Sequence, residues 1–239
     1  MTRKSVVVAA VAVIGLFSCA TATRSLARSR TSQLFGTLIS RVETRDSVVA
    51  LSFDDGPVER VTPEILDALR SRGVHATFFV IGADLERAPA AGRSIVENGH
   101  ELGNHSYSHA RLVLVAPSTV RREVVATDSL IRASGFDRPI LFRPPYGYKL
   151  VTLPLFLSRA SRTTVTWDIE PDSYADVAAT AEGIVRHVLD RARPGSIILL
   201  HPWYSSRATS RHAIPMLVDS LHARGYQVGT VGELLAHAR

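Results

Sequence analysis

Two adjacent carboxylates, Asp54 and Asp55, stop an apolar run that begins at Val48, and Gly56-Pro57 then turns the chain away. Two anions side by side repel each other, and a protein keeps them adjacent when a metal ion or an arginine neutralises them. Their presence predicts metal ligands, a cation and a proton-transfer partner further along the chain. His105 and His109 lie four apart, a spacing at which two imidazoles reach one metal if the segment turns helically. With one carboxylate they make a two-His-one-carboxylate set that leaves positions open for water and substrate. The other carboxylate is then placed to take the proton of a water beside the metal, as general base. Arg143 can pair with that base and hold it. His201 is a candidate general acid on the far side of the reacting carbon, with a carboxylate such as Glu170 or Asp168 to orient it.

These groups act together only if the elements before them bring them to one rim. From Asp46 onward short apolar runs alternate with helix-like stretches. Strands are expected at Val48–Phe53, Ala76–Ile81, Glu101–Gly103, Ile140–Phe142, Thr163–Ile169, Ser196–Leu200 and Tyr226–Val231. Between them, Thr62-Pro63 reads as a helix N-cap followed by proline at the first helical position, and Ser118 as the cap of a long helix. Alternation of this kind implies an α/β fold with a parallel sheet or barrel, and such folds gather function at the carboxyl ends of their strands. The first, third, fourth, fifth and sixth runs end at Asp54-Asp55, at His105 to His109, at Arg143, at Asp168 to Asp172, and at His201. No internal repeat and no second composition regime divides the chain, so residues 46–239 read as a single domain.

Of the 239 residues, 46% are hydrophobic and 21% charged, which supports a substantial core and excludes a disordered chain. Residues 1–22 read as a signal peptide: Arg3 and Lys4 precede an apolar stretch, Val6 to Phe17, too short for a comfortable span of ~20 residues. Leu16-Phe17-Ser18-Cys19 reads as a lipoprotein processing site that would lipidate Cys19; Ala20-Thr21-Ala22 reads as an ordinary cleavage site; an uncleaved anchor is the third reading. Each implies export, with attachment to a membrane through the signal or through Cys19 in two of the three. Cys19 is the single cysteine, so after cleavage the fold stands on its core without a disulfide. The net charge is +6, and Arg24, Arg28, Arg30, Arg41 and Arg45 put much of it in residues 23–45. That stretch reads as a basic linker suited to anionic wall polymers or lipid headgroups. An export signal without a base-reading motif excludes nucleic acid as the partner.

The motifs together resemble the polysaccharide deacetylase family, carbohydrate esterases of family 4 with a NodB homology domain. Ser52-Phe53-Asp54-Asp55-Gly56 is similar to its T/S-F-D-D-G motif and His105-Ser106-Tyr107-Ser108-His109 to H-S/T-x-x-H. Arg143-Pro144-Pro145-Tyr146 is similar to R-x-P-Y, and Leu199-Leu200-His201 to L-x-H. The resemblance implies a distorted (β/α) barrel of about seven parallel strands. It implies a divalent metal, usually Zn²⁺, with Co²⁺ or another transition metal as alternatives, held by Asp55, His105 and His109. It implies Asp54 as base under Arg143 and His201 as acid, a substrate contact at Pro145-Tyr146 with the Tyr146 N–H on the oxyanion, and Leu199 lining the slot for the acetyl methyl. A further family motif departs: Glu170 falls where an aspartate would tune the acid histidine, and Asp172 is a second carboxylate able to do so. Trp203 is a candidate to stack on a sugar ring. The implied activity is deacetylation of an N-acetylated glycan, peptidoglycan or chitin-type, by an exported monomeric enzyme. O-acetyl xylan esters and non-sugar amides are rival substrates on the same barrel, and a wall-binding protein with a relict site is the rival from another class.

Overall fold

A computed structural model describes residues 20–239 of the chain. Cys19 and most of the expected signal peptide lie outside the described residues. No helix among the described residues is long and apolar enough to cross a membrane.

The central strand, β2 (Val48–Asp54), is buried along its whole length, which is why its sequence reads as a continuous apolar run and not as an alternation. It pairs in parallel with β3 (Thr77–Val80) and with β6 (Ile197–Leu200), and at its start with β7 (Gln227–Gly229). β4 (Glu101–Asn104) continues the sheet from β3. Single parallel bridges then carry the ring onward. Asn104 bridges Phe142, Phe142 bridges Thr164 in β5 (Thr164–Val165), and Ile169 bridges Ile198 in β6. The result is the expected α/β architecture, a barrel distorted where strands shrink to bridges. The strands expected at Ile140–Phe142 and Thr163–Ile169 are reduced in this way. Both N-cap readings also shift: the first helix runs Thr62–Arg70 from a cap at Val61, and the long helix runs Pro117–Ala133 from a cap at Ala116.

The segment expected as a linker, 23–45, is part of the wall. Residues 20–28 are helical. Leu38–Ile39 forms a strand, β1, parallel to β5, and Arg41 bridges Ser196 at the start of β6. β1 thus fills the gap between β5 and β6. Ala27 and Val42 are buried, and the Val42 N–H donates to the Gly195 carbonyl at 2.9 Å. The five arginines that made the stretch look like a tether masked the few apolar residues that dock it, and one of them, Arg28, faces the cleft.

Strand parity decides what faces the barrel interior, because successive side chains point to opposite faces. On β2, Val49, Leu51 and Phe53 join the outer core beneath the helices, while Val48 and Ala50 join the inner one. Ser52 and Asp54 share the inner parity. On β6, Ile198 and Leu200 lie outward and Ile197 and Leu199 inward, so His201 follows on the inner side.

Candidate active site

Asp54 ends β2 inside the barrel, 2% exposed. Its Oδ1 accepts a 2.6 Å bond from Nη1 of Arg143, whose side chain is fully buried. The guanidinium also donates to Ser52 Oγ at 3.0 Å and to the Thr166 carbonyl at 3.1 Å, and its Cζ lies 3.9 Å from the Phe79 ring centroid. Ser52 in turn donates to the Ile198 carbonyl at 2.8 Å. Three strands therefore hold one arginine against one carboxylate, and Asp54 Oδ2 is left facing His105 Nε2 at 3.7 Å.

Asp55 lies just past the strand with φ +73°, and that left-handed backbone turns its carboxylate away from Asp54. Its Oδ1 is 3.4 Å from His109 Nε2 and 3.9 Å from His105 Nε2. One ligand atom from each of Asp55, His105 and His109 falls within 4.8 Å of the others. Asp55 Oδ1 is buried without a hydrogen-bond partner. His105 Nδ1 is 2.7 Å from the Arg143 carbonyl; a carbonyl only accepts, so Nδ1 carries the proton and Nε2 presents a lone pair. Burial first, and then the nearness of His105, holds His109 below the ordinary imidazole value. Two imidazole nitrogens and an orphaned carboxylate oxygen aimed at one point fit a divalent cation.

The two histidines do not lie on a helical turn. Residues 105–110 form an irregular loop in which Ser106 and His109 take positive φ, +65° and +56°. Glu123, on the Pro117–Ala133 helix, fastens this loop, accepting from the N–H groups of Tyr107 and Ser108 at 3.0 and 2.8 Å and from Ser108 Oγ at 2.8 Å. Asn104 Oδ1 accepts from the Ser106 N–H at 2.8 Å.

Across the site, His201 takes Asp172 as its partner, not Glu170 or Asp168. Nδ1 donates to Asp172 Oδ1 at 3.1 Å, and the His201 backbone N–H donates to Oδ2 at 2.7 Å. Burial pulls this imidazole down, but the Asp172 hydrogen bond and charge, with Asp54 and Asp55 adding, push it up to about 9. Burial likewise opposes the charge on Asp172, yet the bonds from His201 and Ser210 outweigh it and hold that carboxyl below its usual value. Glu170 instead accepts from Trp167 Nε1 at 2.8 Å and Ser173 Oγ at 2.7 Å. Asp168 is spent on Ser196 Oγ and the Ile197 N–H, both at 2.8 Å. The turn Pro171–Ser173 carries Asp172 under the histidine, and no spacing rule in the sequence announces that.

Residues 41–165 match the family model for polysaccharide deacetylase. The chain belongs to the polysaccharide deacetylase family. It is 34% identical over 200 residues to a peptidoglycan-N-acetylglucosamine deacetylase of Bacillus cereus, covering 82% of this chain and 92% of that one. It is 34% identical to a chitooligosaccharide deacetylase of a Bradyrhizobium species, covering 78% of this chain and 90% of the other. A solved peptidoglycan N-acetylglucosamine deacetylase superposes with a TM-score of 0.77 at 30% identity, over 84% of this chain and 94% of that one. The relatives named as deacetylases are hydrolases of C–N amide bonds, and such deacetylases are metal-dependent, in keeping with the Asp55, His105 and His109 set.

The deacetylase cleft has a volume of about 440 Å³. Asp54, Asp55, His105, His109, Tyr146, Glu170 and His201 all line it. Tyr146, 54% exposed, sits in the Pro145–Gly147 turn with φ +57°, and its ring lies 4.6 Å from that of His109. Three expected substrate contacts are elsewhere. Trp203 is 2% exposed; its Nε1 donates to the Asp54 carbonyl at 2.7 Å, and Gly56 rests on its ring so closely that a Cβ there would lie 2.5 Å from it. It supports the Asp54-Asp55 turn from below and has no face free for a sugar. Leu199 is fully covered in the inner core with Phe79 and Trp167, and Pro145 is buried. The cleft also contains residues that motif reading did not single out for it: Arg28, Arg111, Tyr148 and Arg207.

Proposed function

We propose that this deacetylase removes acetyl groups from N-acetylated polysaccharide of the cell envelope, peptidoglycan or chitin-type, with Zn²⁺ held by Asp55, His105 and His109. The observation that carries the reading is the buried, unpartnered Asp55 Oδ1 facing two imidazole nitrogens, next to a second carboxylate already neutralised by Arg143. Relatives named for peptidoglycan and chitooligosaccharide support the substrate class. When bound, the metal polarises the acetyl carbonyl and acidifies a water beside it.

Asp54 accepts the proton of the attacking water. Arg143 occupies its Oδ1, so Oδ2, on the His105 side, is the receiving oxygen. The Tyr146 N–H, which no carbonyl or side chain among the described residues takes, is free to stabilise the oxyanion. His201 donates its proton to the departing amine. Asp172 binds Nδ1 and leaves Nε2–H to make that transfer, and the elevated pKa keeps the proton in place at neutral pH. Acetate and a free amino sugar result, and the amine adds positive charge to the polymer. The N-terminal stretch acts in export, and the enzyme works outside the cytoplasm as a monomer.

The test is acetate release from acetylated chitooligosaccharides and from peptidoglycan fragments. Chelation should abolish it, and added Zn²⁺ or Co²⁺ should restore it. Full activity in Asp54→Asn or His201→Ala protein would overturn the mechanism.

A further inference from the structure

The cleft carries more positive charge than its chemistry uses. Arg143 is matched by Asp54, His201 by Asp172, and Arg30 by Glu170 at 3.9 Å. Asp55 belongs to the metal set. Arg28, Arg111 and Arg207 remain, all lining the cleft and none paired with a carboxylate among the described residues. Two of them are held in place by aromatic rings. The Arg111 Cζ lies 4.9 Å from the Tyr146 centroid and 5.2 Å from that of Tyr148, and Arg28 lies 5.6 Å from Tyr148. Stacking fixes a guanidinium while leaving its edge N–H groups free to bind an anion in the plane of the fork.

Arg28 reaches the cleft because its segment is clamped. The Lys149 N–H donates to the Ala27 carbonyl at 2.9 Å, Lys149 Nζ donates to the Ser29 carbonyl, and Thr166 Oγ1 donates to the Arg30 carbonyl at 2.6 Å. Lys149 is 1% exposed and Thr166 fully buried. A buried lysine whose burial lowers its pKa to about 8, spent on main-chain carbonyls, holds the strap in register. The strap precedes residue 41, where the family match begins.

We infer that Arg28 and Arg111, with Arg207 beside them, form a subsite for a carboxylate on the glycan, so that the enzyme selects acetamido sugars bearing an acidic substituent over neutral ones. This rests on the deacetylase reading for its consequence and on the arginine geometry for its existence. Arg207 also donates to the Asp172 carbonyl, so the test uses the other two. The probes are tetraacetylchitotetraose, which is neutral, and a tetrasaccharide of alternating N-acetylglucosamine and N-acetylmuramic acid with free lactyl carboxylates. Calorimetry with zinc-loaded full-length Asp54→Asn protein should show the acidic probe binding about tenfold tighter or more. Arg28→Gln and Arg111→Gln added to that protein, or ~0.5 M salt, should shrink the gap. In the active enzyme the same two changes should lower the ratio of kcat/KM, acidic over neutral, by about tenfold. Equal binding of the two probes, or a gap that survives both substitutions, would overturn the subsite. Arginine-dependent binding without acetate release from either probe would keep the subsite and sink the deacetylase reading instead.

Discussion

Asp54 and Asp55 are chemically identical neighbours with different fates, and one backbone angle separates them. Asp54 ends β2 at inward parity, against Arg143, while the left-handed φ of Asp55 directs its oxygen to the two histidines. Asp54→Asn should lose at least a hundredfold in kcat while retaining metal, because base catalysis contributes about 10²–10⁴; acetate assay with metal analysis checks both halves. Arg143→Met leaves a carboxylate buried and unpaired, and should destabilise the fold by roughly 3–5 kcal/mol in urea unfolding. In the metal-free protein, His201 should titrate near pH 9 by NMR. Its folded pKa lies above the unfolded imidazole value, so its stabilisation is whole below about pH 6.5 and is lost as pH rises through 9. Asp172→Asn removes the charge beside the ring and weakens its hydrogen bond, leaving only Asp54 and Asp55 to oppose burial. The titration, and the alkaline limb of kcat with it, should then move to lower pH; an unmoved limb would show that His201 is not the acid.

At the scale of the element, the candidate metal site depends on a loop that has no regular structure of its own. Ser106 and His109 both sit at positive φ, a conformation that costs about 1–3 kcal/mol at each such residue. Glu123 repays part of that with three hydrogen bonds from the neighbouring helix. Glu123→Ala should therefore weaken metal affinity by about 10–100-fold without touching a ligand, measured by competition with a chromophoric chelator. Unchanged affinity would mean that the loop holds its own shape.

At the scale of the whole molecule, the N-terminal segment completes the barrel wall beside β5 and the start of β6. Protein beginning at residue 46 lacks β1, takes the Ala27 and Ser29 carbonyls away from Lys149 and loosens the seam between β5 and β6. It should be less stable than protein beginning at residue 20 by on the order of 3 kcal/mol or more, seen as a lower urea midpoint. Equal midpoints would return residues 23–45 to the status of a tether. The same deletion removes Arg28 from the cleft wall and Arg30 from beside Glu170, so any domain trimmed for activity assays should keep them.

What the sequence determined by itself was which residues gather at the rim and their order along the chain. A buried parallel strand reads as an unbroken apolar run, and charged residues at its end have one place to go, the rim; the Asp54-Asp55 pair, the two histidines, Arg143 and His201 were legible for that reason. The tertiary structure decided what depends on packing between distant segments. It chose Asp172 over Glu170 for His201, because a short turn and not a spacing sets which carboxylate faces the ring. It sent Trp203 beneath Gly56, because an aromatic after a strand end can turn inward as readily as outward. It folded residues 23–45 into the wall, because a two-residue strand and two buried side chains leave almost no pattern among five arginines. Those are long-range outcomes, and local residue preference carries no information about them.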